Sequence, residues 1–108
     1  MVNRKLLKQR VLSALRSGQF RQARNTLRNS SANSFCVWGV IHEATGLGEL
    51  GTGDDWTYAG ERAVARPPAT LLNDLGIPSA TSNRWIKRND EGADFLTLAD
   101  LIEKEWEV

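Results

Sequence analysis

The sequence predicts a mainly α fold: one domain over residues 1–108 with about five helices, plus an irregular excursion over residues 46–66 that has room for a short hairpin. Three observations lead there. Apolar residues recur at helical spacing near both ends of the chain. Capping residues, prolines and glycines punctuate the stretches between them. A chain of 108 residues, 41% hydrophobic and 25% charged, has material for one core and not for two.

Taken in order, Asn3 can cap a first helix running to about Ser17. Leu7, Val11, Ala14 and Leu15 form its apolar stripe, Leu6 and Leu12 widen it, and Gly18 supplies a left-handed stop. Phe20, Ala23 and Leu27 suit either a short helix or an extended segment over residues 19–28. Residues 29–33 (Asn29, Ser30, Ser31, Ala32, Asn33) read as a polar loop. Ser34 is placed to cap the segment from Phe35 to Thr45, which Gly46 ends. That segment is apolar on nearly every side, so periodicity leaves helix and strand both open, and its punctuation favours helix. Pro67 and Pro68 open a short helix with Leu71, Leu72 and Leu75 inward and Gly76 closing it. Ser79 caps a helix holding Trp85 and Ile86, which stops before Gly92. Asp94 caps the last helix, which buries Phe95, Leu98, Ala99, Leu101 and Ile102 and is closed by Trp106.

The net charge of +1 hides a gradient. Eight basic and no acidic residues lie in residues 1–28 (Arg4, Lys5, Lys8, Arg10, Arg16, Arg21, Arg24, Arg28). Seven acidic residues face Lys104 alone in residues 90–108. Such a layout serves either a basic arm for a polyanion or two terminal helices that lie together and compensate. The second reading is the simpler. The longest apolar stretch, Phe35 to Ile41, is far short of the roughly 20 residues of a membrane span, and the N-terminus lacks the pattern of a secretory signal. One cysteine, Cys36, permits no intramolecular disulfide. These features lead to an expectation of a cytoplasmic protein without a membrane partner.

Several motifs tempt and then fail. Gly46-Leu47-Gly48-Glu49-Leu50-Gly51 spells a dinucleotide fingerprint, but Thr52, Gly53, Asp54 and Asp55 make a poor helix start and the acids would repel phosphate. His42-Glu43 opens a zinc-protease pattern whose second histidine position is Gly46, and the chain has no other histidine. No nucleophile motif surrounds Cys36 or any serine. Asn89 to Asp94 resembles a calcium loop, yet with Gly92 sixth the first position is Lys87 and the twelfth Leu98. The expectation is therefore no catalytic residue, no metal and no cofactor.

Two features carry more. Leu71 through Trp85 has the apolar–glycine–apolar spacing of a helix-turn-helix, with Arg84, Lys87 and Arg88 as DNA-binding candidates. Leu72 stands where a small residue is usual, and Ser82 where an aliphatic is. Four tryptophans is a high count; Trp38 and Trp85 read as core. Trp56 and Tyr58 lie in a polar, glycine-rich stretch, where they can anchor a partner or fold back to seal the core.

Three stretches together resemble a family of small proteins encoded by bacteriophages and prophages. Ala14-Leu15-Arg16-Ser17-Gly18-Gln19-Phe20-Arg21-Gln22 is similar to its segment of ALRSG followed by an aromatic and Gln. Phe35-Cys36-Val37-Trp38-Gly39-Val40-Ile41 is similar to its YCCLGVL element. Asn89-Asp90, Gly92, Phe95 and Ala99 to Glu103 are similar to its LND, Gly, Phe, IAD, IE segment, and Leu75-Gly76-Ile77 matches a Leu-Gly-Leu step. Departures are Val37 and Trp38 in place of Cys and Leu, His42 near another common cysteine, and Arg88 in place of Leu. The resemblance brings no catalytic residues. It implies a viral accessory protein in a bacterial cytoplasm, of a kind often directed at host components.

Three functions follow as expectations. The first is a non-enzymatic protein that binds a host protein through Trp56, Tyr58, Arg21, Arg24 and Arg28. The second is a binder that sequesters a nucleotide, with Arg21, Arg24 and Arg66 on the phosphate. The third is a DNA-binding regulator using Arg84, Lys87 and Arg88.

Overall fold

In a computed structural model of the chain, the structure describes residues 3–24, 27–29, 33–51 and 55–108, with the side chain of Arg28 excepted. Ser30, Ser31 and Ala32 of the expected polar loop, and Asp54, lie outside them. The first helix, α1 (Arg4–Arg16), begins where Asn3 accepts a hydrogen bond from the Leu6 amide at 3.1 Å. Its buried stripe is Leu7, Val11, Leu12 and Leu15, while Leu6 is 42% exposed. The last helix, α5 (Phe95–Glu105), begins where the Asp94 carboxylate accepts from the Thr97 amide at 2.8 Å, which holds that carboxyl below its ordinary pKa. α5 buries Phe95, Leu98, Ala99 and Ile102 and packs beside α1.

Between them, the ambiguous segment divides. Ser34–Phe35 is a strand, β3, and Val37–Thr45 is the central helix α2, ended by Gly46. Cys36 rather than Ser34 holds the N-cap position, and its side chain caps nothing. α2 is apolar on nearly every side because it is covered on nearly every side: Val37, Trp38, Val40 and Ile41 are each 0% exposed, and Glu43 alone on it is exposed. Gly39 marks its tightest approach, since a Cβ there would stand 1.9 Å from the Leu27 carbonyl oxygen. The helices α3 (Ala69–Leu75) and α4 (Ser79–Asp90) start after Pro68 and Pro78. Ser79 is thus the first helical residue of α4, not its cap. Trp38 and Trp85 stack at 6.0 Å between α2 and α4, and the Trp106 indole donates to the Leu75 carbonyl at 2.9 Å.

The remaining elements correct the mainly α expectation. β1 (Arg21–Gln22) pairs parallel with β3, and β2 (Arg28–Asn29) pairs antiparallel with it. β4 (Glu49–Leu50), β5 (Trp56–Tyr58) and β6 (Glu61–Ala63) form an antiparallel meander. With five helices and two three-stranded sheets among the described residues, the protein is a mixed α/β globule. Strands of two and three residues are too short to show an alternating pattern, and the parallel β1–β3 pair is closed only through β2 and the intervening residues. The β5–β6 turn has both central residues left-handed, Ala59 at φ 51° and Gly60 at φ 80°, as a two-residue hairpin requires.

Candidate functional site

The basic residues of α1 are largely taken up inside the fold. Arg4 donates to the carbonyls of Asp74 (2.9 Å) and Asn73 (3.2 Å) at the end of α3. Lys8 donates to the carbonyls of Glu103 and Trp106 at the end of α5. Both cations sit at helix C-termini, where the helix dipole is negative. Arg16 pairs with Asp100 (2.9 Å) and Glu103 (3.2 Å). The two charged ends of the chain therefore compensate one another, and this leaves α1 a poor polyanion arm.

Of the two readings of Trp56 and Tyr58, partner anchor or seal on the core, the packing of Trp56 matches the second. Leu50, Trp56 and Ala63 are register partners and so share one face of the meander. Trp56 and Ala63 turn inward on it, while Leu50 at its edge is 43% exposed. Trp56 is 2% exposed, stacked on the His42 ring at 5.1 Å and tilted against Phe35. Tyr58 is half-buried and donates its hydroxyl to the Asp74 carboxylate, which pushes the phenol pKa up. Glu49, Thr57 and Arg62 occupy the outward face. Trp56 thus seals the core and offers no contact to a partner.

His42 and Cys36 are structural as well. The His42 Nδ1 lies 2.9 Å from the Leu47 carbonyl, which assigns the proton to Nδ1. Nε2 is buried without a partner among the described residues, and burial pushes the ring pKa down. Cys36 is 4% exposed, and burial pushes its thiol up to about 11, too high for a nucleophile at neutral pH. The two residues are six apart on one helix, about 9 Å along its axis. No three His, Cys, Asp or Glu side chains gather to hold a metal among the described residues. The glycine-rich stretch leaves a helix end and enters β4, the reverse of a phosphate-binding strand-to-helix turn. Together with the β5–β6 turn it borders a depression of about 430 Å³ whose one acidic liner is Glu49. Helix carbonyls and a carboxylate suit an anion badly.

A node that sequence reading missed lies at Asn89, which is 0% exposed. Its Oδ1 accepts from Gln22 Nε2 (2.8 Å) and from the Val37 amide (3.2 Å), and its Nδ2 donates to the Ala23 carbonyl (2.8 Å). Gln22 also donates to the Ala93 carbonyl. Asn89 thereby caps α2 in place of the idle Cys36 side chain. The three stretches that carry the phage-family resemblance meet at this one amide.

The exposed features converge elsewhere. Arg84, Lys87 and Arg88 all lie on the outward face of α4. Arg84 pairs with Glu105 at 3.3 Å, and Arg66 donates to Asn83 at 2.7 Å. β1 runs against the end of α4 through the Asn89 node, which brings Arg24 beside Gly92. Arg21 is exposed on the same strand, and the Arg28 side chain lies outside the described residues. Between α4 and α5 runs a groove of about 290 Å³ walled by Ala93, Thr97, Leu98 and Leu101, with Arg88, Asp100 and Lys104 on its rim. The nucleotide candidates do not converge: Arg66 sits by Asn83 and Arg24 by Gly92, about 10 Å or more apart along α4. In the helix-turn-helix comparison, α3 has only seven residues, and both misfitting positions, Leu72 and Ser82, are buried.

No described helix is long and apolar enough to cross a membrane. No curated protein and no solved structure matches the chain. Residues 2–59, just over half of the sequence, match a family described as a domain of unknown function (DUF8296), and the chain belongs to that family.

Proposed function

We propose that this chain is a phage-derived accessory protein that acts by binding a protein of its bacterial host, with the outward face of α4 and the α4–α5 groove as contact surface. One observation carries the reading. Cations from two helices, Arg88 of α4 and Lys104 of α5, line an apolar groove beside Asp100 and have no ion-pair partner among the described residues, with exposed Lys87 on α4 and Arg24 beside Gly92. Mixed apolar and charged surface of this kind fits a protein interface. The phage-family resemblance supplies the host context. The test is affinity capture from bacterial lysate followed by mass spectrometry. Arg88→Glu with Lys104→Glu abolishes recovery of the partner, while Arg10→Glu, on exposed α1 surface, leaves it intact. Equal recovery by all three forms removes the proposal.

A second reading, DNA binding, draws on one specific observation: α3, Gly76 and α4 are consecutive helices with Arg84, Lys87 and Arg88 facing outward. Glu105 already engages Arg84, and Glu91 is exposed at the end of the same helix. Retention on DNA at low salt that falls steeply as salt rises supports it; no retention removes it.

A further inference from the structure

We propose that the α4–α5 groove receives an aliphatic side chain of the partner, and that carboxylates flanking this side chain pair with Arg88 and Lys104. The inference rests on the protein-binding reading above and names the chemistry of the segment bound. The walls, Ala93, Thr97, Leu98 and Leu101, are apolar apart from one hydroxyl, so they reward a hydrocarbon and satisfy no polar group deep in the groove. At about 290 Å³ the space lies at the lower edge of small-molecule pockets, which suits a side chain rather than a whole ligand.

The rim sets the charge. Asp100 is already held by Arg16, whereas Arg88 and Lys104 have no acceptor among the described residues. Two cations beside a greasy slot select carboxylates on either side of the inserted group. A nucleic acid is disfavoured on the same face. Its backbone gains nothing from an apolar floor, and no aromatic side chain among the described residues is exposed for base stacking. Trp38, Trp56, Trp85 and Trp106 are all at most 2% exposed.

The experiment titrates the isotope-labelled full chain with a synthetic peptide carrying two leucines four residues apart, each flanked by glutamates, and follows backbone amide shifts. Three companion peptides replace Glu by Gln, Leu by Ala, or Glu by Lys. Saturable shifts are expected at Ala93, Thr97, Leu101 and Lys104, weakened at least about tenfold with the Gln or Ala peptide. The variant Arg88→Glu with Lys104→Glu loses the glutamate peptide and gains the lysine peptide. Both side chains are at the surface, so the variant keeps the wild-type spectrum elsewhere. The inference is overturned by equal binding of the Glu and Gln peptides or by shifts confined to another face. It is also overturned by sedimentation as a dimer that the peptide fails to dissociate, since the groove then lies between copies. Failure of the peptide with lysate capture still lost in the variant rejects this segment chemistry alone. Capture that survives in the variant rejects the binding surface as well.

Discussion

Replacing Asn89 by alanine tests whether the knot at the end of α4 holds the fold. The substitution leaves two buried backbone groups without partners: the Val37 amide at the start of α2 and the Ala23 carbonyl. Each orphaned buried group costs about 1–3 kcal/mol. Gln22 keeps its bond to the Ala93 carbonyl, so its loss is smaller. Alanine returns at most about 0.7 kcal/mol of helix propensity. The net expectation is a loss of about 2–5 kcal/mol, a large part of the roughly 5–15 kcal/mol that stabilises a domain. In urea unfolding this appears as a lower midpoint with an unchanged slope, and in a thermal melt as a fall of about 8 °C or more. Asn89→Asp offers a sharper signature. It keeps an acceptor for Val37 and Gln22 but turns an oxygen towards the Ala23 carbonyl. Protonation converts that oxygen into a donor, so Asn89→Asp recovers stability relative to wild type as the pH is lowered towards 4. Asn83→Ala, on the exposed face of the same helix, stays within about 0.5 kcal/mol of wild type. A loss below about 1 kcal/mol for Asn89→Ala refutes the reasoning, because the orphaned groups would then have found other partners.

Three further outcomes follow from buried groups. His42 has its folded pKa held below the ordinary value near 6.5 by burial. The unfolded chain therefore takes up the proton first: the stability due to neutral His42 is complete above about pH 6.5 and is lost as pH falls through the folded value. Urea midpoints between pH 8 and 4.5 decline in wild type and flatten in His42→Gln; an equal decline in both contradicts the assignment. Cys36, with its thiol pushed up to about 11, is only about one part in a thousand thiolate at pH 8. A thiol reagent should label it only as fast as the protein opens, and stoichiometric labelling of the native protein within seconds would contradict its burial. Gly39→Ala gains about 1 kcal/mol of helix propensity but drives a Cβ to 1.9 Å from the Leu27 carbonyl oxygen, a backbone atom that cannot rotate away. A net loss of about 2 kcal/mol or more is expected in urea unfolding; a stabilised variant refutes the close approach.

What could be read from the sequence follows a physical divide. Local signals located α1 and α5 closely, because Asn3 and Asp94 cap through their own side chains and the apolar stripes follow at once. The pairing of the charged ends was legible too, since the gradient is a property of whole segments. The sheets were not, because β1, β2 and β3 exist only through pairing of two-residue strands. For Trp56 the polar stretch leaves partner anchor and core seal both open, and only the meander's register turns it inward. Asn89 reads locally as part of a turn, yet its partners lie 52 to 67 residues away in sequence. Arg24 and Arg88 belonged to separate sequence hypotheses; that same node brings their segments together.

Amide hydrogen exchange of the full chain, free and with any host protein recovered in the affinity capture, examines the proposed contact surface directly. Slower exchange concentrated in residues 84–104 is predicted, with the meander over residues 49–63 unchanged. Protection confined to the meander, or spread over α1 without the α4–α5 groove, contradicts the assignment.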